Sequence, residues 1–194
     1  MKIIVQKFGG TSVGNVDRIK NVANIVLREV HAGYKAIVIL SAMAGETDRL
    51  LNLAYQITDS PSKRELDMLV ATGEQVTIAL LAIALENMGY KAVSMTASQV
   101  GIYTDKSYTK AKIEKIETER ICSALKDDKI VIIAGFQGID ENMNITTLGR
   151  GGSDTSAVAI AAAIKADKCD IYTDVDGVYT ADPRIVKMQR SLKI

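Results

Sequence analysis

The chain has 194 residues, of which 47% are apolar and 24% are charged, as is usual for a soluble globular protein with one hydrophobic core. Lys and Arg total 24 against 23 for Asp and Glu, and this balance argues against a basic surface for nucleic acid or an anionic membrane. The two cysteines, Cys122 and Cys169, lack CxxC spacing and indicate buried apolar residues in a reducing cytoplasm, not a disulfide or a metal site.

The residue order predicts neither a targeting segment nor a membrane span. Lys2, Gln6 and Lys7 interrupt the N-terminal apolar run, so it does not resemble a signal peptide. The longest apolar runs, 130–136 and 157–164, are too short to cross a bilayer. We therefore expect a cytoplasmic protein that binds neither nucleic acid nor membrane.

Apolar runs alternate with segments of helical periodicity along the whole chain. In chain order, the pattern predicts strand 3–5, helix 16–30, strand 36–40, helix 48–57, helix 63–87, strand 92–95, helix 110–125, strand 130–133, helix 153–166 and strand 170–173. Asn15 is a candidate N-cap for the first helix, and Gly33 a candidate stop. Such alternation is typical of an α/β fold, here a three-layer α/β/α sandwich with a mainly parallel central sheet.

A glycine pair follows the first predicted strand in the segment IIVQKFGGTSVG. Gly9 and Gly10 would let backbone N–H groups approach a phosphate, and Lys7 could neutralise a transferred phosphoryl group. The spacing matches neither of the common glycine-rich nucleotide motifs. A tight strand-to-helix turn also needs glycine, so this loop alone leaves both readings open.

A second glycine loop precedes the last predicted helix, in the segment TTLGRGGSDTSA. Ser153 or Asp154 is a candidate N-cap, but three glycines around Arg150 exceed what a cap needs. The guanidinium fork of an arginine suits a carboxylate, and Asp154 could orient a lysine or a metal-bound phosphate. Together the two loops predict a site where a phosphate meets a carboxylate.

Three further segments carry polar residues with two readings each. The segment YTDVDGVYTADPR reads as a hairpin with acidic turns, or as a nucleotide contact through Tyr179 and Arg184. Ser41 and Thr47 follow the second strand among small residues. Glu74 lies inside an apolar helix, where a carboxylate is either on a polar surface stripe or a ligand group, because an unpartnered buried charge is costly.

Six motifs, in order along the chain, together resemble the aspartokinase branch of the amino-acid kinase family. They are KFGGTSV, SAMAGETD, ATGEQV, AGFQG, TTLGRGGSDTSA and YTDVDGVYTADPR. Acetylglutamate kinase, glutamate 5-kinase and UMP kinase share the fold and a lysine-glycine-glycine loop, but not the full set. The resemblance implies transfer of the ATP γ-phosphoryl group to the β-carboxylate of L-aspartate. The product is 4-phospho-L-aspartate, in the first step of lysine, threonine and methionine biosynthesis.

The resemblance also implies a role for individual residues. Lys7 and Asp154 would be catalytic, with Lys7 stabilising the transferred group and Asp154 organising the lysine and the metal side. Arg150 would hold the aspartate α-carboxylate and Glu74 its ammonium. The remaining substrate residues would be Thr47, Gly151, Gly152 and Ser153. The ATP residues would be Lys7, Phe8, Gly9, Gly10, Ser41, Thr173, Asp174, Tyr179 and Arg184. Mg²⁺ would bridge phosphate oxygens, with no dedicated protein ligand set.

The end of the chain departs from the family pattern. Family members continue beyond the position that matches Ile194 and usually add ACT domains that bind a feedback amino acid. The expectation is a single kinase catalytic domain over 1–194 with its C-terminal part missing and no ACT domain. Its partners would be a homodimer mate or a second chain that supplies the missing part. Alternatives are a non-catalytic fragment or subunit that keeps nucleotide or aspartate binding, and a kinase for glutamate or a nucleoside monophosphate.

Overall fold

The computed structural model describes residues 1–173, which form one central sheet, a smaller second sheet and the helices around them. The strands of this part are β1 Ile3–Phe8, β2 Lys35–Leu40, β3 Ala92–Met95, β4 Ile102–Thr104, β5 Ile113–Ile116, β6 Ile130–Ala134, β7 Gln137–Ile139, β8 Ile145–Thr147 and β9 Lys168–Tyr172. The helices are α1 Val16–His31, α2 Glu46–Ile57, α3 Lys63–Val70, α4 Thr72–Asn87, α5 Ala97–Val100, α6 Glu119–Lys126 and α7 Gly152–Ile164.

The central sheet is parallel and has the order β3-β6-β2-β1-β9. Ile4 and Phe8 of β1 point into a core shared with α1 and α4. Val5, the residue after Ile4, points into a second core shared with α6 and α7 on the other face. Helices therefore cover both faces, as the predicted three-layer sandwich requires.

Helix α1 shows how local sequence sets an element of this fold. Its buried residues Ile19, Val22 and Val26 recur at helical spacing and face the sheet. The Asn15 side chain accepts a hydrogen bond from the Arg18 N–H at 2.9 Å, which confirms the predicted N-cap. Gly33 follows the helix with φ +92°, where glycine has no steric penalty.

The predicted helix over 110–125 is wrong in its first half. Ile113–Ile116 is strand β5, which pairs antiparallel with β4 in a four-stranded sheet of order β5-β4-β7-β8. Glu114 and Lys115 are both exposed on this strand, so the charges that suggested a helix face are solvated on a strand. Only Glu119–Lys126 is helical here, because strand pairing overrides local propensity.

The predicted long helix over 63–87 is two helices, α3 and α4, that meet at Ala71. By length and composition Lys63–Asn87 could cross a membrane, since the mean hydropathy of its most apolar window is 1.8. Half of that window is buried inside the fold, and the segment carries the buried carboxylates of Asp67 and Glu74. These features are those of a core helix pair in a globular domain.

The expectation that both cysteines are buried is wrong. Cys169 is exposed, because it lies on β9, the edge strand of the described sheet, and Cys122 on α6 is half-buried. Both thiols are free.

The carboxyl ends of β1, β2 and β6 lie side by side, since all three strands are parallel. The segments that follow them, together with the start of α7, meet at this edge of the sheet. Ligands of open parallel sheets bind at such an edge.

Candidate functional site

A cavity of about 250 Å³ opens at the carboxyl edge of the central sheet. Eight residues that the sequence singled out line it: Lys7, Ser41, Thr47, Glu74, Gly151, Gly152, Ser153 and Asp154. They come from four separate stretches of sequence, and the fold brings them together.

Lys7 and Asp154 form an ion pair across the cavity floor. The Lys7 Nζ lies 2.6 Å from the Asp154 Oδ1, and the two side chains are 10% and 48% exposed. At this distance the ammonium and the carboxylate are in direct contact as a charge-assisted pair. Lys7 lies near the end of β1, and Asp154 lies in the first turn of α7. The ion pair therefore forms only when β1 and α7 are packed in their places.

The start of α7 differs from the sequence expectation. Neither Ser153 nor Asp154 is the N-cap; the cap is Gly151, with φ +79°, and no side chain bonds there. Close packing requires glycine at position 152, because a Cβ on Gly152 would lie 2.7 Å from the Leu148 Cβ and 2.9 Å from the Phe136 Cδ2. The glycine run thus lets the positive end of α7 reach the cavity wall.

Glu74 is a buried carboxylate with one open oxygen. It is 2% exposed, its Oε1 accepts the Ala42 N–H at 3.2 Å, and its Oε2 is buried with no hydrogen-bond partner. Burial raises the pKa of this carboxyl to about 7, opposed by the hydrogen bond from Ala42. Of the two sequence readings, the surface stripe is excluded, and a group that lines a polar cavity remains.

The first turn of α4 also holds the segment after β2. The Thr77 hydroxyl donates to the Ser41 carbonyl at 2.9 Å, one helical turn beyond Glu74. A Cβ on Gly73 would lie 2.7 Å from the Ala42 Cβ, so the helix and the loop touch closely. The contacts of Gly73, Glu74 and Thr77 with the segment after β2 therefore fix the position of Glu74 relative to Ser41.

The two glycines of the first loop have different surroundings. A Cβ on Gly10 would lie 2.8 Å from the Ala42 carbonyl oxygen, so Gly10 allows close packing between two loops. A Cβ on Gly9 would meet only ordinary contacts, 3.5 Å from the Lys7 Nζ and 3.8 Å from the Tyr172 oxygen. The Gly9 N–H donates to the Tyr172 carbonyl at 3.4 Å, so a phosphate would have to replace this long bond.

Other predicted residues lie outside this cavity. Arg150 is exposed and lines a neighbouring cavity of about 470 Å³, together with Lys112. Phe8 and Thr173 line a cavity of about 350 Å³ beside α1. The Phe8 ring is buried and stacks on Tyr172, with ring centres 4.4 Å apart. Asp174, Tyr179 and Arg184, and the predicted hairpin, lie outside the described residues.

Two lining residues were not singled out as site residues from the sequence, Ala42 and Phe136. Phe136 has φ +68°, a left-handed conformation that is rare for a bulky residue. Its N–H donates to the Ser156 hydroxyl at 3.1 Å and its carbonyl accepts from the Leu148 N–H at 2.8 Å. A phenylalanine between Gly135 and Gln137 gives no sequence signal for this conformation.

In residues 1–173 no three His, Cys, Asp or Glu side chains cluster as a metal site. The cavity instead combines one cation, one paired carboxylate, one open carboxylate and a helix N-terminus. That set can hold a small zwitterion beside a phosphate, because each ligand charge would meet an opposite charge or dipole.

Comparisons with known proteins agree with this arrangement. A sequence profile of the Amino acid kinase family matches residues 2–194. The aspartokinase of Geobacillus stearothermophilus is 61% identical over 193 residues, which cover 100% of this chain and 47% of that protein. The chain thus spans about half the length of that relative.

Two solved structures share the fold. Aspartate kinase from Synechocystis superposes with a TM-score of 0.80 at 51% identity, covering 97% of this chain and 31% of that one. E. coli aspartokinase III in complex with aspartate and ADP gives a TM-score of 0.82 at 28% identity, covering 98% and 53%. The resemblance seen in the six motifs is thereby confirmed, and the chain belongs to the amino acid kinase family.

Proposed function

We propose that this chain is the catalytic portion of an aspartate kinase, which transfers the γ-phosphoryl group of ATP to the β-carboxylate of L-aspartate. One β-carboxylate oxygen attacks the γ-phosphorus, the bond to the β,γ-bridging oxygen breaks, and ADP leaves. The attacking carboxylate is ionised at neutral pH and needs no general base. Catalysis then depends on positioning and charge stabilisation.

The open oxygen of Glu74 is the observation that carries this proposal. A buried carboxylate oxygen without a partner is unfavourable unless a ligand supplies a cation or a proton. The ammonium of an amino acid supplies both charge and hydrogen-bond donors. Lys7 lines the same cavity as Glu74, and the acceptor carboxylate is therefore assigned to a place beside the Lys7 ammonium.

The α-carboxylate of the acceptor is assigned to the N-terminal turn of α7 and to Arg150. Gly151, Gly152 and Ser153 line the cavity at that turn. Arg150 lines the next cavity, one residue before Gly151, so its contact with the acceptor requires a change in this loop. Ser41 and Thr47 complete the polar wall with their hydroxyl groups.

Lys7 and Asp154 are assigned to the phosphoryl end. The Lys7 ammonium would neutralise charge on the transferred group, and Asp154 would hold the lysine in place. The Asp154 carboxylate, whose Oδ1 contacts Lys7, could also contribute an oxygen to Mg²⁺, a cation that prefers carboxylate oxygens and substrate phosphates to a dedicated protein cage. When bound, Mg²⁺ would neutralise charge on the phosphate oxygens.

The nucleotide is assigned to the loop around Phe8, Gly9 and Gly10, with Thr173, Asp174, Tyr179 and Arg184. E. coli aspartokinase III, which shares the fold, was crystallised with aspartate and ADP, in support of both ligands. A homodimer, or a second chain, remains the proposed partner, and the cytoplasm the proposed compartment.

Acyl-phosphate trapping with hydroxylamine tests the proposal. The purified protein would receive Mg-ATP with L-aspartate, L-glutamate or a nucleoside monophosphate in separate reactions. We expect aspartate-dependent hydroxamate that disappears in Lys7→Ala. Turnover of glutamate or of the nucleotide in place of aspartate would instead assign the chain to another member of the family.

Binding measurements separate the non-catalytic alternative. Calorimetric titration with aspartate should give binding in the wild type and loss of binding in Glu74→Gln. Aspartate binding without hydroxamate would support a binding subunit. Absence of both in a folded, monodisperse sample would contradict the assignment of Glu74.

A further inference from the structure

We propose that Asp67 is a positioning residue that holds the two halves of the acceptor site at a fixed distance from each other. Asp67 lies on α3, outside the cavity, and touches no reacting group. The inference rests on the proposed function, since it names what aligns the ammonium side of the site with its carboxylate side.

The Asp67 carboxylate is fully buried and accepts hydrogen bonds from strand β8 and from the loop between β4 and β5. Its Oδ2 accepts the Thr147 N–H at 2.8 Å, and its Oδ1 accepts the Thr147 hydroxyl at 2.6 Å. The Thr109 N–H lies 3.1 Å from Oδ1 and 3.0 Å from Oδ2. Burial raises the pKa of Asp67, and the bonds from Thr147 and Thr109 oppose that shift.

These bonds join two chain segments, each of which continues into the candidate site. From Asp67 the chain runs through the end of α3 into the first turn of α4, which carries Glu74. From Thr147, the last residue of β8, it runs directly into the loop of Arg150, Gly151 and Gly152. Asp67 is therefore bonded to the base of the loop that faces Glu74 across the cavity.

A second bond supports the same alignment. The Gln137 side-chain amide donates to the Ala71 carbonyl at 3.1 Å, where α3 and α4 meet. Gln137 lies on β7, the strand that pairs with β8. The helix pair is thus bonded to both strands of one hairpin, at the end nearest the cavity.

Asp140 provides a matched comparison at the other end of this hairpin. It is also fully buried, and it accepts bonds from the Asn142 N–H and the Asn144 N–H, each at 2.9 Å. The Tyr108 hydroxyl donates to it at 2.9 Å. Asp140 closes the turn between β7 and β8, and its bonds reach neither α4 nor the glycine loop.

Steady-state kinetics of the two alanine variants test the inference. Asp67→Ala should raise the aspartate KM about 10-fold or more and change the ATP KM by less than about twofold, because misplacement of about 1 Å costs large factors in positioning. Asp140→Ala should lose comparable stability in urea and leave both KM values near wild type.

A conservative variant distinguishes geometry from charge. In Asp67→Asn, an amide oxygen at the Oδ2 position accepts both backbone N–H groups, and its nitrogen donates to the Thr147 hydroxyl. The aspartate KM should therefore return to within about threefold of wild type. If Asp67→Ala does not fold, Thr147→Val removes the hydroxyl bond alone and should shift the aspartate KM in the same direction.

Equal aspartate KM values in Asp67→Ala and Asp140→Ala would overturn the inference, as would a parallel rise of both KM values in Asp67→Ala. Hydrogen exchange gives a readout without turnover: amides of 148–152 should exchange faster in Asp67→Ala than in Asp140→Ala. A wild type without aspartate turnover would refute the proposed function, while the exchange result would still decide whether Asp67 holds this loop.

Discussion

Lys7 Nζ and Asp154 Oδ1 lie 2.6 Å apart, and this contact joins the end of β1 to the first turn of α7. The two residues are far apart in sequence: Lys7 precedes the first glycine loop, which alone leaves two interpretations open, and Asp154 follows the second. Their contact places a positive and a negative side chain in the cavity that Glu74, with its open oxygen, also lines. The chemistry of the site therefore depends on packing between α7 and the sheet.

Removal of the Lys7 ammonium should abolish phosphoryl transfer and leave the fold intact. Loss of one preorganised charge at a transferring group typically costs about 10²- to 10³-fold in kcat. The measurement is hydroxamate formation by Lys7→Ala, with circular dichroism to check folding. Lys35→Ala is the matched control, because Lys35 is paired with the exposed Asp128 at the opposite end of the sheet. Turnover retained in Lys7→Ala would remove Lys7 from the mechanism.

Aspartate binding should weaken as the pH falls through about 7. Burial raises the pKa of Glu74 to about 7, so its ionised form, which attracts an ammonium, is lost below that value. The kcat/KM for aspartate should decrease as the pH falls below about 7. In Glu74→Gln this decrease should disappear, and kcat/KM should be lower than in the wild type. An acid limb unchanged in Glu74→Gln would assign the titration to another group.

The same carboxyl should lower stability at alkaline pH. The folded pKa of Glu74 lies above the ordinary value of 4.5, so the folded state binds more protons and the free energy of unfolding decreases as pH rises from 4.5 to about 7. Above this range Glu74→Gln should have a free energy of unfolding about 1–3 kcal/mol higher than the wild type. Each pKa unit corresponds to about 1.36 kcal/mol, and the burial cost of the glutamine amide reduces the gain.

Urea unfolding at about pH 5 and pH 8 measures this difference. The stability advantage of Glu74→Gln should shrink towards pH 5, where the carboxyl is protonated in the folded state. An advantage independent of pH would mean that the effect comes from packing, not from the charge.

Alanine at Gly9 and at Gly10 should have opposite consequences. A Cβ at Gly10 would lie 2.8 Å from the Ala42 carbonyl oxygen, so Gly10→Ala should destabilise the fold by about 1–3 kcal/mol. A Cβ at Gly9 meets only ordinary contacts but stands 3.5 Å from the Lys7 Nζ, where a phosphoryl group has to fit. Gly9→Ala should therefore keep its stability and lose activity.

Gly14→Ala is a matched control in the same loop, since its Cβ would meet nothing closer than 3.4 Å. Thermal unfolding and hydroxamate formation should show that Gly14→Ala has nearly the stability and the activity of the wild type. Full activity in Gly9→Ala would mean that the phosphoryl group does not pass beside the Lys7 ammonium.

Arg150→Ala should raise the aspartate requirement more than the ATP requirement. The guanidinium fork suits the α-carboxylate, and Arg150→Lys, which keeps the charge but loses the fork, should recover only part of the affinity. Initial rates with each substrate varied in turn measure both KM values. The reverse pattern would place Arg150 on the nucleotide side.

The long buried elements were predictable because their signal is local. Strands β1, β2 and β6 each contain an apolar run of three or more residues, and α1 carries both its periodicity and its Asn15 cap in sequence. The second sheet was not predictable: its strands have three or four residues, and pairing between distant segments decides their conformation. Residues 113–116 are therefore a strand despite helical spacing.

The site divides in the same way. The glycines and charged residues around it were found from their types and spacing, but burial of Glu74 is a tertiary property that left two readings open. Arg150 lines a neighbouring cavity, a placement that residue type and spacing do not reveal. Phe136 lines the cavity with its backbone in a left-handed conformation that is unfavourable for phenylalanine.

The contact between Gly10 and Ala42 has a consequence for changing acceptor specificity. The Ala44 N–H also donates to the Gly10 carbonyl at 3.2 Å, so the segment that we assign to the acceptor and the segment that we assign to the phosphates are bonded to each other. An insertion after β2 that widens the acceptor cavity would displace Gly10 and, with it, the surroundings of Lys7. Acceptors longer than the proposed one are therefore better sought through the wall at Phe136, whose backbone is bonded to Ser156 and Leu148 and not to Gly10.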